Sequence, residues 1–381
     1  MKDVIIIGAG PAGNRLAKLI AGTCDVVLLE EHERIGEPVQ CAGLVSPRCI
    51  DDTTRGSVLC QIRDFMLHSP SGEKLELHAK EPKGVVIDRA RYDSSLAEAA
   101  VGNGAELLTR TRAMNLSVSG ESVRVGARSG DAVREFDGKL IVGADGPKSF
   151  VRRYALFDEF DMLYYGAQAT GTLKDDRNPT AVEMYLGSNL APGFFAWKIP
   201  AGDRVRIGLC SSKEGTPINL LDAFLKSRFP NFKQETRQAG LIPMGALGGL
   251  SKGRVILIGD AAGQTKPLTG GGVYLGKMAA EMLAESVHAE GPSIAAGELY
   301  EKMFKTEFGR ELSRAWRLRR VMNEMSDEKL DKAVELLADE RILSMLEEAG
   351  DIDYPANLSA AVLRKAPQLL QFFPELLRSG L

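Results

Sequence analysis

The pattern Gly8-x-Gly10-x-x-Gly13 constrains the fold of this chain more than any other part of its sequence. It follows residues 3–7, which are apolar and largely β-branched and are therefore predicted to form a buried strand. It opens residues 11–21, whose apolar side chains recur at helical spacing. A glycine-rich turn between a buried strand and a helix predicts a helix N-terminus that binds a pyrophosphate group.

A second buried strand, predicted over residues 25–29, completes a Rossmann-type strand–helix–strand unit and ends at Glu30. The first glycine of the pattern permits a tight turn, the second lets the backbone approach the phosphates, and the third lets the helix pack closely on the strand. Ala12, inside this loop, is included among the predicted cofactor contacts. The spacing of Glu30 suits a carboxylate that binds ribose hydroxyls. This unit fits FAD and NAD equally.

A second motif favours FAD. Gly259-Asp260-Ala261-Ala262-Gly263 follows residues 254–258, which have the character of a buried strand, and a triple glycine with Val273 comes soon after it. We expect Asp260 to bind the ribityl chain. The backbone N–H groups of Gly271, Gly272 and Val273 are predicted to lie against the flavin ring, where negative charge gathers on reduction.

A third motif, which runs from Gly143 through Asp145 to Arg152, also ends an apolar strand. The three motifs together resemble the FAD-binding pattern of the para-hydroxybenzoate hydroxylase superfamily. The resemblance covers residues 1–155 and 253–284 and includes Asp145 among the cofactor residues. It implies that the flavin lies between a Rossmann-type lobe and an antiparallel sheet.

The predicted fold class is therefore mixed α/β, with a Rossmann-type FAD-binding lobe, an inserted antiparallel substrate lobe and a helical C-terminal region. Candidate strands of the inserted part are residues 164–172, 181–186, 194–199 and 205–210, with a helix over 218–228. The predicted domains are residues 1–60, 85–155 and 246–290 for FAD, 61–84 and 156–245 for the substrate, and 291–381 for the helical region.

Further residues resemble the geranylgeranyl reductase family within that superfamily. They are the loop from Gly36 to Leu44 with Cys41-Ala42-Gly43, the pattern Phe195-x-Trp197-x-Ile199-Pro200, and Arg89-x-x-Tyr92-Asp93 at a predicted helix start. The chain departs from the family signature at Phe195, Ile199 and Cys210. The resemblance implies that Cys41, Ala42, Gly43, Arg89 and Ala113 contact the FAD.

Members of this family saturate isolated double bonds of geranylgeranyl chains, and the archaeal branch, which acts on digeranylgeranyl glycerol lipids, is the closer resemblance. The implied reaction couples a hydride from reduced flavin to a proton, and it needs an electron donor, either ferredoxin or NAD(P)H. The aromatic residues Phe195, Trp197, Tyr165 and Tyr185 either line an apolar substrate tunnel or form ordinary core. Cys41 either donates the proton or simply fits beside the ring.

Two other functions remain open. The flavin motifs equally allow an aromatic hydroxylase that uses NADPH and oxygen. An electron carrier to quinone is less favoured, because no cysteine follows Cys210 to hold a C-terminal iron–sulfur cluster. A non-catalytic FAD-bound protein has no support in the sequence.

Composition excludes several other classes. A net charge of −3 provides no field for nucleic acid, and the five cysteines form no CxxC pair, so no metal site is predicted. No uncharged run approaches the length of a membrane span. We expect a cytoplasmic protein. Arg310, Arg314 and Arg317 share a helical face that either contacts a membrane surface peripherally or is simply solvated.

Overall fold

The computed structural model describes residues 1–174, 176–365 and 367–368, so the last part of the predicted helical region lies outside the described residues. The strands are β1 (Lys2–Ile7), β2 (Val26–Leu29), β3 (Leu44–Val45), β4 (Val58–Ile62), β5 (Asp64–His68), β6 (Lys74–His78), β7 (Gly84–Ile87), β8 (Glu106–Leu108), β9 (Thr111–Val118), β10 (Val123–Ser129), β11 (Ala132–Gly143), β12 (Met162–Leu173), β13 (Val182–Tyr185), β14 (Ala196–Ala201), β15 (Arg204–Ser211), β16 (Phe232–Met244), β17 (Ser251–Lys252) and β18 (Val255–Leu257).

The helices are α1 (Pro11–Ile20), α2 (Arg89–Gly102), α3 (Phe150–Tyr154), α4 (Pro217–Arg228), α5 (Val273–Glu290), α6 (Ile294–Asn323), α7 (Asp327–Leu337), α8 (Glu340–Ala349) and α9 (Pro355–Lys365). Short 3-10 turns occur at Pro47–Cys49, Arg55–Ser57 and Gly259–Ala262.

The first sheet has the strand order β17-β18-β11-β1-β2-β8, and β9 and β10 extend it from β11. β1 pairs in parallel with β2 and β11, which confirms the predicted strand–helix–strand unit. Val4, Ile5 and Ile6 of β1 are fully buried, as expected for a central parallel strand that is covered on both faces. The carboxyl ends of β1, β11 and β18 therefore meet at one edge, where all three flavin motifs begin.

The second sheet has the order β16-β12-β15-β14-β13-β5-β6 and is antiparallel except for the β13–β5 pair. The four strands predicted within the inserted part are all present, and so is the helix α4. β16 was not among the predicted strands. Its residues 233–237 are exposed and polar, because β16 is an edge strand, so this stretch lacks the alternation that marks a half-buried strand.

A small third sheet, β3-β7-β4, lies against the second one. The predicted hairpin near residues 62–79 is confirmed as β5 and β6, which join the second sheet. The sheets thus show which strands pair with each other, while the division into domains stays a prediction.

The C-terminal region is helical and is broken near Gly291, Gly350 and Pro355, as predicted, and also after Asn323 and after Leu337, where no break was predicted. α6 packs against both large sheets. Phe304 and Phe308 in its first half are buried in the core of the first sheet, and Trp316 in its second half packs in a cluster on the second sheet. Among the described residues, no helix is both long enough and apolar enough to cross a membrane.

Candidate flavin site

The loop between β1 and α1 has the geometry that phosphate binding requires. Gly8 has φ +101°, and a Cβ at this position would lie 2.4 Å from the carbonyl oxygen of Ala144. A Cβ at Gly13 would lie 2.1 Å from the carbonyl oxygen of Gly8, so α1 contacts the loop through bare backbone. Gly10 has nothing within 4 Å of its Cβ position, and no side chain caps the helix. The N-terminus of α1 therefore has room and free donors for an anionic group.

Glu30 lies at the end of β2, beside the same loop. Its Oε2 accepts a hydrogen bond of 2.8 Å from the N–H of Ala9, and its Oε1 accepts one of 2.9 Å from the N–H of His32. Ala113 is buried on β9, and the N–H of Thr111 on this strand donates to the Glu30 carbonyl. The structure thus places Glu30 and Ala113 together, next to the phosphate loop.

Asp260 faces the triple-glycine loop. A Cβ at Gly272 would lie 2.7 Å from Oδ1 of Asp260, so only glycine lets the loop pass this carboxylate. Burial raises the pKa of Asp260 to about 6, and among the described residues no donor bonds to its carboxylate oxygens. Asp260 keeps part of its surface exposed, so its carboxylate is accessible to a hydrogen-bond donor from a ligand. A hydroxyl from a ribityl chain would supply the donor, so these residues fit FAD.

Two side chains from the C-terminal region hold the loop that leads to Gly271. Lys266 Nζ bonds Asp353 Oδ1 at 2.9 Å, and the Lys266 N–H donates to the carbonyl of Gly271. Arg48, which follows the Cys41 loop, pairs with Asp353 and Asp351 at 2.9 Å. The segment after α8 thus connects two loops of the candidate site.

Arg319 of α6 is the second of these side chains, and it was not among the predicted site residues. It is buried, it donates to the carbonyls of Pro267 (2.9 Å) and Leu268 (2.7 Å), and its guanidinium lies 4.4 Å from the centroid of the Phe194 ring. Burial lowers its pKa to about 10. One signal was present in the sequence: Arg319 follows Phe308, Leu312 and Trp316 on the apolar stripe of α6.

Replacing Arg319 with methionine is expected to lower the free energy of unfolding by about 2–4 kcal/mol, because two buried carbonyl groups lose their charged donor. We also expect weaker FAD retention, since the loop before Gly271 loses its support. Denaturant unfolding and FAD titration measure both effects. Arg320→Met, at the exposed neighbouring position, is the matched control. Equal stability of the two variants would contradict the role assigned to Arg319.

The Cys41 loop closes another side of the site. Cys41 Sγ accepts a hydrogen bond of 3.3 Å from the N–H of Gly43, and its carbonyl accepts one from Gln238 Nε2. Arg89 lies beside this thiol and pairs with Asp93 at 2.9 Å. Although burial opposes the charge, the Asp93 carboxylate and then the Cys41 sulfur raise the pKa of Arg89.

Arg206 is a residue of this region that the sequence analysis missed. It reaches from β15 to the carbonyls of Ala42 (2.8 Å) and Ile87 (3.0 Å). A Cβ at Gly43, whose φ is +77°, would collide with its guanidinium. No local motif marks Arg206, because its proximity to the Cys41 loop depends on how the second sheet packs.

The structure separates the four predicted substrate residues. Phe195 and Trp197 belong to a cluster with Tyr164 on one face of the second sheet. This face meets the flavin loops, namely the triple-glycine loop and the Cys41 loop, since Phe194 of the same cluster lies within 3.3 Å of the Cβ position of Gly270. Tyr185 does not line this face, which corrects the prediction. It is packed against Phe224 of α4 on the opposite face.

Tyr165 is also misplaced by the prediction. It neighbours Tyr164 on β12, and successive strand residues point to opposite faces, so Tyr165 shares the α4 side with Ala167.

Asp145 has a structural partner that the motif did not reveal. Its carboxylate accepts hydrogen bonds from Ser149 Oγ (2.6 Å) and from the N–H groups of Phe150 (2.6 Å) and Val151 (3.1 Å), so it caps α3. Its contact with the cofactor stays a prediction.

Comparison with known proteins agrees with this geometry. The profile of an FAD-binding domain family matches residues 1–290. The chain is 32% identical over 374 residues to the digeranylgeranylglycerophospholipid reductase of Methanosarcina acetivorans, covering 90% of each chain. It is 30% identical over 403 residues to digeranylgeranylglycerophospholipid reductase 2 of Methanothermobacter thermautotrophicus, covering 98% of this chain and 99% of the relative.

Solved structures share the fold. A geranylgeranyl bacteriochlorophyll reductase-like protein from Thermoplasma acidophilum superposes with a TM-score of 0.85 at 21% identity, covering 98% of this chain and 99% of that one. The p-nitrophenol 4-monooxygenase of Pseudomonas putida has a TM-score of 0.72 at 17% identity, covering 94% and 98%. The protein is thus an FAD-dependent oxidoreductase. It belongs to the FAD-binding domain family and, within it, to the digeranylgeranylglycerophospholipid reductases.

Proposed function

We propose that this protein saturates isolated C=C bonds in the geranylgeranyl chains of digeranylgeranylglycerophospholipids. The observation that carries this proposal is the apolar face of the second sheet. Tyr164, Phe194, Phe195 and Trp197 lie there, opposite the loop that contains Gly270. Such a face suits an alkene chain that must be held dry against a flavin.

The residues of the chain have separable tasks in this reaction. FAD, when bound and reduced, supplies the hydride. The aromatic cluster orients the alkene and excludes water, which an unactivated double bond requires. Cys41 Sγ holds the proton for the second alkene carbon, and the Arg89 guanidinium lies beside this sulfur.

The electron donor and a membrane contact belong to the same proposal. The reductant is ferredoxin or NAD(P)H. A lipid substrate also requires access to the bilayer, and the exposed Arg310 and Arg320 on α6 suit a peripheral contact with anionic head groups.

The test is an anaerobic assay with dithionite-reduced holoenzyme and digeranylgeranylglyceryl phosphate, followed by mass spectrometry of the lipid. Stepwise gains of hydrogen pairs are the expected result, and oxidised enzyme without dithionite is the control. An unchanged lipid beside a bound, reducible flavin would overturn the proposal. Rapid NADPH oxidation on addition of a phenol would instead favour a hydroxylase.

Replacing Cys41 with alanine separates the two roles that its sequence position allowed. If Cys41 donates the proton, alkene saturation by reduced enzyme should slow by about 100-fold or more, while reduction of the flavin itself keeps its rate. Single-turnover kinetics measure both steps. Cys60→Ala, at another partly buried thiol, is the matched control. Normal saturation by Cys41→Ala would leave only a packing role for this residue.

A further inference from the structure

The face of the second sheet that meets the flavin loops changes in polarity along its strands. Pairing between β12 and β16 places Tyr164 opposite Ile242, Gly166 opposite Gly240, Gln168 opposite Gln238, and Thr170 opposite Thr236. Each such pair forms one row across the two strands, and the row of Tyr164 and Ile242 belongs to the apolar cluster beside α6. The face thus runs from an apolar end, over a glycine floor, to a polar end.

A cation without a carboxylate partner lies at the polar end. Arg206 pairs with Thr170 across the sheet and bonds only to the carbonyls of Ala42 and Ile87, and no ion pair to it occurs in the part of the chain that the structure describes. It is only partly buried, and Thr236 on the edge strand of the same row is exposed. This end of the face is therefore open to solvent, while the apolar end is closed by α6.

An amide without an acceptor lies in the next row. Gln168 is 4% exposed, and its Oε1 accepts a hydrogen bond of 2.9 Å from Trp197 Nε1, which reaches across Gly208. Because the indole nitrogen can only donate, the orientation of the amide is fixed. Its Nε2 consequently remains without a partner among the described residues. Gln168 and Arg206 are diagonal neighbours across β12 and β15, a separation that long side chains span.

Within the described part of the chain, Gln168 Nε2 lacks an acceptor and Arg206 lacks an anion, and a phosphate oxygen would supply both. A buried donor without an acceptor and a partly buried cation without an anion each cost free energy that a ligand can recover. The Cys41 loop lies directly beside them, since Gln238 of the same row bonds the Cys41 carbonyl. A ligand anchored here would extend its apolar part past Cys41, along Gly166 and beside Gln40, which lies against Gly240, toward the aromatic cluster.

We propose that Arg206, assisted by Gln168, forms a phosphate subsite that holds the head group of the lipid while its chains occupy the apolar end. This inference rests on the proposed function and adds the recognition of the charged head group to it. The same chemistry could serve a phosphate of a nicotinamide dinucleotide, and the experiment separates the two sources.

The experiment compares digeranylgeranylglyceryl phosphate with digeranylgeranylglycerol, which lacks the phosphate, as substrates of dithionite-reduced holoenzyme. The native protein is expected to favour the phosphorylated lipid in kcat/KM by about 30-fold, the size of one charge-assisted hydrogen bond. In Arg206→Gln this ratio should fall towards one, and in Arg206→Lys much of it should remain. Arg204→Gln, on the same strand but paired with Glu235, is the control and should keep the native ratio.

The outcomes are distinguishable. If the native protein reduces neither lipid, the proposed function fails. If it reduces both with equal kcat/KM, or if Arg206→Gln slows both in equal proportion, Arg206 only supports the Cys41 loop and the phosphate subsite is overturned. A changed KM for NADPH with an unchanged lipid ratio would assign the subsite to the dinucleotide instead. If Arg206→Gln does not bind FAD, Gln168→Glu is tested instead, because it keeps the acceptor for Trp197 but loses the two donors. A kcat/KM ratio of the two lipids that stays at the native value in Gln168→Glu would then overturn the phosphate subsite.

Discussion

Gly13→Ala is expected to be purified without FAD and to be less stable than the native protein. The added Cβ would lie 2.1 Å from the carbonyl oxygen of Gly8, and because that atom is backbone, α1 must move away from the loop. Overpacking of this kind costs about 1–3 kcal/mol. The N-terminus of α1 moves with the helix, so the Kd for FAD should rise by about 100-fold, which corresponds to about 2.7 kcal/mol.

Two matched glycine variants make this test specific. Gly22→Ala follows α1 and meets nothing within 4 Å, so it should keep both stability and FAD. Gly10→Ala has equal space around its Cβ but stands at the helix N-terminus, so we expect native apoprotein stability with weakened FAD binding. Urea unfolding of the apoproteins and fluorescence titration with FAD measure these quantities. A Gly13→Ala protein that retains stoichiometric FAD would contradict the close approach of α1.

Lys198→Met should cause the largest loss of stability away from the flavin site. Lys198 is fully buried on the α4 side of the second sheet, where its Nζ pairs with Asp176 at 2.5 Å and with Glu183 at 2.9 Å. Removing the cation leaves two carboxylates that are largely buried, and breaking such a pair costs about 3–5 kcal/mol. Thermal and denaturant unfolding of the variant measure this cost. Lys226→Met, exposed on α4, is the control.

The acid sensitivity of the native protein should depend on the same cluster. Burial opposes ionisation of Glu183, but hydrogen bonds from His68, Tyr185 and Lys198 outweigh it and lower its pKa to about 2. Because the pKa of Glu183 is lower in the folded than in the unfolded protein, its ionisation stabilises the fold at pH values above about 4.5, its ordinary pKa. This stabilisation is lost as the pH falls towards 2. The free energy of unfolding of Lys198→Met should therefore fall less steeply between these pH values than that of the native protein. Native stability of Lys198→Met at neutral pH would show that the cluster needs no cation.

The C-terminal region is important to the flavin site although the FAD-binding profile matches only residues 1–290. Arg319 and Asp353 both lie beyond that match, yet they hold the loop that leads to Gly271. The family profile therefore describes the part of the chain that binds the cofactor, whereas the shape of the loop also depends on helices that follow it.

The sequence by itself determined the parts of this protein that depend on short stretches of chain. The phosphate loop, the strand ends at Glu30 and Asp260, and the helix breaks at Gly291, Gly350 and Pro355 each follow from neighbouring residues, because turns, caps and backbone clearance are local properties. These local features were sufficient to predict the cofactor.

Only the tertiary structure decided which side chains meet at the site. Strand alternation separates Trp197 from Lys198 and Tyr164 from Tyr165, but it does not tell which face of the sheet meets the flavin loops. That choice depends on the packing of α4 on one face and of α6 with the Cys41 loop on the other. Tyr185 was therefore assigned to the wrong face, and Arg206 and Arg319 were overlooked, because their partners lie far away in sequence and are brought close only by packing.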